Sequence, residues 1–156
     1  MIDERRPISP QDIQLRQAVR ADAPLILWLE EVGMKEYATA IWGSWRPSAT
    51  VKEIDVSNHQ MVEIEGQAIG CIATTRLEEL LKLDKIYLDP AFRNLGIGTH
   101  VLQRVIEMGD DLGLPVSLSV LRTNPALRFY MRAGFAIKSE TPVRRILKRA
   151  PSGKHR

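Results

Sequence analysis

Leu88-Asp89-Pro90-Ala91-Phe92-Arg93-Asn94-Leu95-Gly96-Ile97-Gly98-Thr99 joins an apolar strand to an amphipathic helix through an Arg-x-x-Gly-x-Gly turn. Two glycines let the backbone approach a ligand with no Cβ in the way, and the first N–H groups of the helix point outward without intrahelical acceptors. A helix N-terminus favours an anion by about 0.3–1 kcal/mol, and a guanidinium such as that of Arg93 adds forked donors that fit phosphate oxygens. The segment reads as a pyrophosphate clamp, against the plainer reading of a tight strand-to-helix turn that holds nothing.

Downstream of the turn, a helix over 98–112 places Val101, Leu102, Val105, Ile106 and Leu112 on one face, with Arg104, Glu107 and Asp111 on the other. Gly113 stops it. Val116, Leu118 and Val120 then alternate with Ser117 and Ser119, a strand with one core face and one small polar face. A strand–helix–strand connection makes this strand parallel to the one before the clamp. Thr123 or Asn124, followed by Pro125, opens a short helix that Gly134 closes, and segments 135–139 and 143–148 form a last strand pair.

Upstream, residues 14–19 alternate as a half-buried strand, and Asp22 is placed to cap a helix over 23–32 that Gly33 ends. A second helix over 34–43 carries Met34, Tyr37, Ala38, Ile41 and Trp42 as one apolar stripe, and 46–58 reads as a surface connection. Segments 60–65 and 68–74 form a hairpin turning at Glu65-Gly66, and 80–88 adds a third antiparallel strand ended by Asp89-Pro90.

This order, with Arg93-x-x-Gly96-x-Gly98 followed by Asn124…Tyr130-x-x-x-Gly134-Phe135, resembles the acyl-CoA-binding half of the GNAT superfamily of N-acetyltransferases. The resemblance covers residues 60–149, and the stretch before residue 60 fits the family's more variable opening of one strand and two helices. It implies an α/β (α+β) fold of the GNAT acyl-CoA N-acyltransferase type: a mixed, mostly antiparallel sheet of six to seven strands, a central parallel pair that splays, and helices on both faces. The whole chain, 1–156, is expected to be a single N-acetyltransferase domain with 150–156 as a flexible tail.

The implied chemistry is transfer of an acetyl group from acetyl-CoA to a primary amine of a small molecule or peptide, by direct attack in a ternary complex. A non-catalytic acyl-CoA-binding module is the alternative. By resemblance, Arg93, Asn94, Leu95, Gly96, Ile97, Gly98 and Thr99 hold the pyrophosphate, Leu88 offers an N–H to the thioester oxygen, and Asn124 reaches the cofactor arm. Tyr130 stands where the family's thiolate-facing acid lies. Asp84 lies where many relatives carry a carboxylate, and Glu30, Glu31 and Glu36 are further candidates for the base. Each residue also has a plain structural reading: Leu88 as a core strand residue, Tyr130 packed on its helix, Asn124 as an N-cap and the acids as solvated charges. Glu31, Tyr37 and Trp42, with Trp45 nearby, fall where the family forms its acceptor wall, and aromatic walls favour a small apolar or cationic amine.

Composition bounds the rest. A chain of 156 residues buries a core without metals or disulfides. The single cysteine, Cys71, lies in an apolar run, and His59, His100 and His155 show no metal-ligand spacing. The start lacks the apolar core of a secretory signal and no run of about 18 apolar residues occurs, so the protein is expected in the cytoplasm and off the membrane. The charge of +3 gathers between Arg144 and Arg156 without interleaved aromatics, which reads as a solvated basic tail and not a nucleic-acid surface. Members of the family are often homodimers, which makes a second copy a possible partner.

Overall fold

A computed structural model describes residues 7–152; the sequence readings on 1–6 and on 153–156, most of the expected tail, lie outside the described residues. Seven strands form one sheet: β1 (Ile13–Gln17), β2 (His59–Ile64), β3 (Gln67–Arg76), β4 (Leu81–Leu88), β5 (Val116–Leu121), β6 (Ala136–Glu140) and β7 (Arg144–Arg149). Their order is β1-β2-β3-β4-β5-β7-β6, with β4 and β5 parallel and the other neighbours antiparallel. Among the described residues three α-helices complete it: α1 (Ala23–Trp42), α2 (Ile97–Leu112) and α3 (Leu127–Arg132).

Strand alternation divides the core between the two sheet faces. Val62 and Ile72 face one side with Ile97, Val101, Leu102, Val105 and Ile106 of α2, while their neighbours Met61 and Cys71 face the other with Ala23, Ile26 and Leu29 of α1. This is the expected mixed sheet with helices on both faces. The β2–β3 hairpin turns at Glu65 (φ 51°) and Gly66 (φ 80°), the two left-handed residues a type I′ turn needs.

Four sequence expectations change. Gly33 does not end a helix: α1 runs unbroken for 20 residues to Gly43, whose left-handed φ of 77° closes it. Glycine stands at position 33 because the Tyr87 ring packs against the helix there, and a Cβ would lie 2.6 Å from Tyr87 Cδ1. Gly33→Ala gains about 1 kcal/mol of helix propensity but forces that ring to move; the expected net loss is about 1–2 kcal/mol, read as a lowered melting temperature in thermal denaturation.

Asp22 does not cap α1 with its side chain. Its carboxylate accepts from both terminal guanidinium nitrogens of Arg16, at 2.8 and 2.9 Å, and from the Val19 N–H at 2.8 Å. Arg16 in turn donates to Glu63 at 2.6 Å, so the acid ties the loop before α1 to the first two strands. The basic run from Arg144 is also not a solvated tail at its start. Arg144–Arg149 is the strand β7, paired along its length with β5. Finally, Ser152 N–H donates to Asp110 Oδ1 at 2.7 Å, so residues 150–152 of the expected tail return to α2.

Candidate active site

The parallel pairing of β4 with β5 is confined to Leu81↔Val116 and Lys82↔Ser117. Immediately beyond, the β3–β4 register passes from Thr74↔Leu83 to Ala73↔Lys85, leaving Asp84 as an extra residue in β4. A bulge of this kind bends its strand and ends regular pairing. The two strands part above it, and a cleft of about 570 Å³ opens between them. Asp89 N–H bonds back to Ile69 O at 2.8 Å. Because strand amides alternate in direction, Leu88 N–H points the other way, into the gap.

One end of the cleft is the turn read in the sequence as a clamp. Asp89 Oδ1 accepts Ala91 N–H at 2.9 Å and starts a short 3₁₀ turn over Pro90–Phe92, which delivers Arg93 to the cleft wall. Asn94 (φ 63°) and Gly96 (φ 81°) are left-handed, and α2 starts directly after Gly96. The first helical bond runs from His100 N–H to Gly96 O at 3.3 Å, so Ile97, Gly98 and Thr99 N–H groups precede every intrahelical acceptor. Ile97 is fully buried and anchors the turn in the core, a burial that contributes about 1.5–3 kcal/mol. A Cβ at Gly98 would meet Phe129 at 3.6 Å, an ordinary contact, so packing alone does not demand glycine there.

The cleft gathers most of the residues singled out in the sequence. Asp84, Leu88, Arg93, Asn94, Gly96, Gly98, Thr99, Asn124, Tyr130 and Tyr37 all line it. Leu95 is half exposed and Ile97 is in the core, so neither side chain reaches the cleft and only their backbone amides are available to a ligand. Asn124 Oδ1 accepts Ala126 N–H at 2.9 Å, a cap-like bond made by a residue that also faces the cleft. Tyr130 is 8 % exposed, flanked edge-on by the Phe129 and Phe135 rings, and burial pushes its phenol up to about 12. Trp42 lies exposed at the end of α1, and Glu31 lines a separate small pocket with Trp28 and Trp45.

The sequence model of the Acetyltransferase (GNAT) family matches residues 22–135. The chain belongs to the GNAT family. An uncharacterized N-acetyltransferase of Methanocaldococcus jannaschii is 29 % identical over 111 residues, a match covering 65 % of this chain and 49 % of that protein. The match thus spans about half the length of that curated relative. The PaiA N-acetyltransferase of Thermoplasma acidophilum, solved with coenzyme A, superposes with a TM-score of 0.71 at 18 % identity, over 88 % of this chain and 98 % of that one. The ribosomal-protein-S18-alanine N-acetyltransferase of Escherichia coli gives 0.68 at 17 % identity, over 92 % and 97 %. These two structures share the GNAT fold with this chain. No helix among the described residues is long and apolar enough to cross a membrane.

Within this GNAT fold, the α1 side of the cleft holds groups the sequence reading did not place. The bulge puts Asp84 and Lys85 on the same face, so Lys85 meets α1 instead of following Leu83 into the α2 core. Lys85 Nζ lies 3.4 Å from Glu30 Oε2. Glu30 is 5 % exposed and also accepts the Ser48 hydroxyl at 2.9 Å, so this acid is a buried partner of Lys85 and not a solvated helix charge. His59 is buried in the same layer, and burial together with Lys85 lowers its pKa below the ordinary range. Tyr87 and Arg144 complete this wall.

Proposed function

We propose that the protein is an N-acetyltransferase that moves an acetyl group from acetyl-CoA to a primary amine by direct attack in a ternary complex. The observation that carries this reading is one continuous cleft running from the clamp at Arg93–Thr99, past Leu88 N–H, to Asp84 and Tyr130. In it the clamp amides and Arg93 hold the pyrophosphate, and the Leu88 N–H is aimed at the thioester oxygen, where negative charge develops. Family relatives solved with coenzyme A support the choice of donor.

The amine nitrogen attacks the thioester carbonyl, the C–N bond forms and the C–S bond breaks. Asp84 receives the proton the nitrogen loses. Of Asp84, Glu30, Glu31 and Glu36, it is the carboxylate that lines the cleft, held by a hydrogen bond from Thr75 Oγ1 and by Lys82 at 3.4 Å. Tyr130 gives its proton to the departing sulfur. Burial that raises the phenol penalises a thiolate in the same dry site as well, so transfer is coupled to departure and does not require a prior tyrosinate. Cys71 offers no competing route through an acyl-enzyme, since it is fully buried and its thiol is pushed up to about 12 by burial.

Asp84→Asn is expected to lower kcat by about 10²-fold with acetyl-CoA affinity retained, measured as release of free thiol from acetyl-CoA in the presence of an amine panel. An unchanged kcat would remove Asp84 from the reaction and leave proton removal to water.

A further inference from the structure

Three cationic side chains line the cleft: Arg93, Lys85 and Arg144. Arg93 belongs to the clamp, and Lys85 is neutralised by buried Glu30 at 3.4 Å. Arg144 is different. Its neighbours in the fold, Arg122 and Arg145, share Glu140 at 3.3 and 3.0 Å, and Arg149 holds Asp110 at 3.4 Å. Among the described residues the Arg144 guanidinium has no carboxylate partner; it sits over the Trp42 ring, 5.9 Å from the centroid. Its backbone is fixed at the start of β7 by Leu121 across the ladder and by Thr141, whose hydroxyl accepts Arg144 N–H at 2.9 Å.

This arrangement changes what the aromatic wall selects. A Trp ring with a guanidinium already over one face is a weaker attractor of a second cation, and a guanidinium 5.9 Å above the ring keeps its donors for an anion. The α1 wall of the cleft therefore presents one uncompensated positive charge on a rigid strand end. We propose that the acceptor is a small amino carboxylate, an amine whose carboxylate is bound by Arg144 against Trp42. This rests on the transferase reading and narrows its substrate class. Arg144 is then a specificity-determining residue at the acceptor end, separate from the clamp that holds the donor.

The test compares glycine, β-alanine and γ-aminobutyrate with the alkylamines of matching length, by thiol release from acetyl-CoA. The wild type is expected to prefer the carboxylated member of a pair, and Arg144→Gln to reduce that ratio of kcat/KM by about 10- to 100-fold, with Arg144→Lys recovering part of it. The length with the largest ratio reports the span from Arg144 to the reacting amine. Equal rates within every pair would overturn the carboxylate inference while leaving transfer itself intact. A preference that survives Arg144→Gln would overturn the assignment to Arg144. Tryptophan fluorescence titrated with the same carboxylates supplies a readout independent of turnover: a saturable change lost in Arg144→Gln and in Trp42→Phe supports the site, and no change in the wild type sinks it. Binding without thiol release from any amine would contradict the transferase reading and not the anion site.

Discussion

Gly96→Glu is expected to abolish acetyl-CoA binding in a protein that still folds. Gly96 sits at φ 81° immediately before α2, and nothing lies within 4 Å of where its Cβ would be. The space is open, so the side chain enters the volume the clamp keeps for phosphate oxygens, and a carboxylate there opposes the anion that Ile97, Gly98 and Thr99 amides attract. Left-handed backbone also disfavours any residue with a Cβ by about 1–2 kcal/mol, which tilts the loop as well as charging it. Gly96→Ala separates the two effects. It carries the backbone cost alone and is expected to weaken affinity by about tenfold, whereas Gly96→Glu weakens it by at least about 100-fold, both measured by calorimetry. The core anchor at Ile97 is untouched, so circular dichroism is expected to match the parent. Parental affinity in Gly96→Glu would remove the clamp from the account.

Tyr130→Phe keeps the ring and deletes one oxygen. The ring's edge contacts with Phe129 and Phe135, at 5.1 and 6.0 Å between centroids, are retained, so the fold and the affinity for acetyl-CoA are expected to hold. The departing sulfur loses its proton donor, and kcat is expected to fall by about 10²-fold or more with little change in KM. The pH profile carries a second signature. With the phenol raised to about 12, Tyr130 is expected to stay protonated across the working range, and the parent's rate is expected to rise toward about pH 9 as the amine loses its proton, without a descending limb from this residue. A matched kcat in parent and variant would assign the proton to water.

The turn before α2 was legible because its demands are local. Two glycines and an arginine at fixed spacing mark a strand-to-helix turn without tertiary information, and the strand–helix–strand order around them fixes the parallel pair. The continuity of α1 was not legible, because the glycine at 33 that looks like a helix end is there to admit a ring delivered by β4 from 54 residues away. The bulge at Asp84 was hidden for a related reason. Period-two reading of 81–88 sends Lys85 to the Leu83 side, and the extra residue reverses it, creating the Glu30–Lys85 pair out of two charges that look solvated in the sequence. Arg144 looked like the beginning of a basic tail because charge density carries no information on strand pairing; its ladder with Leu121 turns that charge into part of the cleft.

Titration of the purified protein with acetyl-CoA by calorimetry, with NADH as a second dinucleotide-like anion, tests the central claim that this cleft is an acyl-CoA site. The account predicts saturable micromolar binding of acetyl-CoA that is lost in Gly96→Glu, and no saturation by NADH. Folded protein that fails to bind acetyl-CoA, or that binds it unchanged in Gly96→Glu, would contradict it.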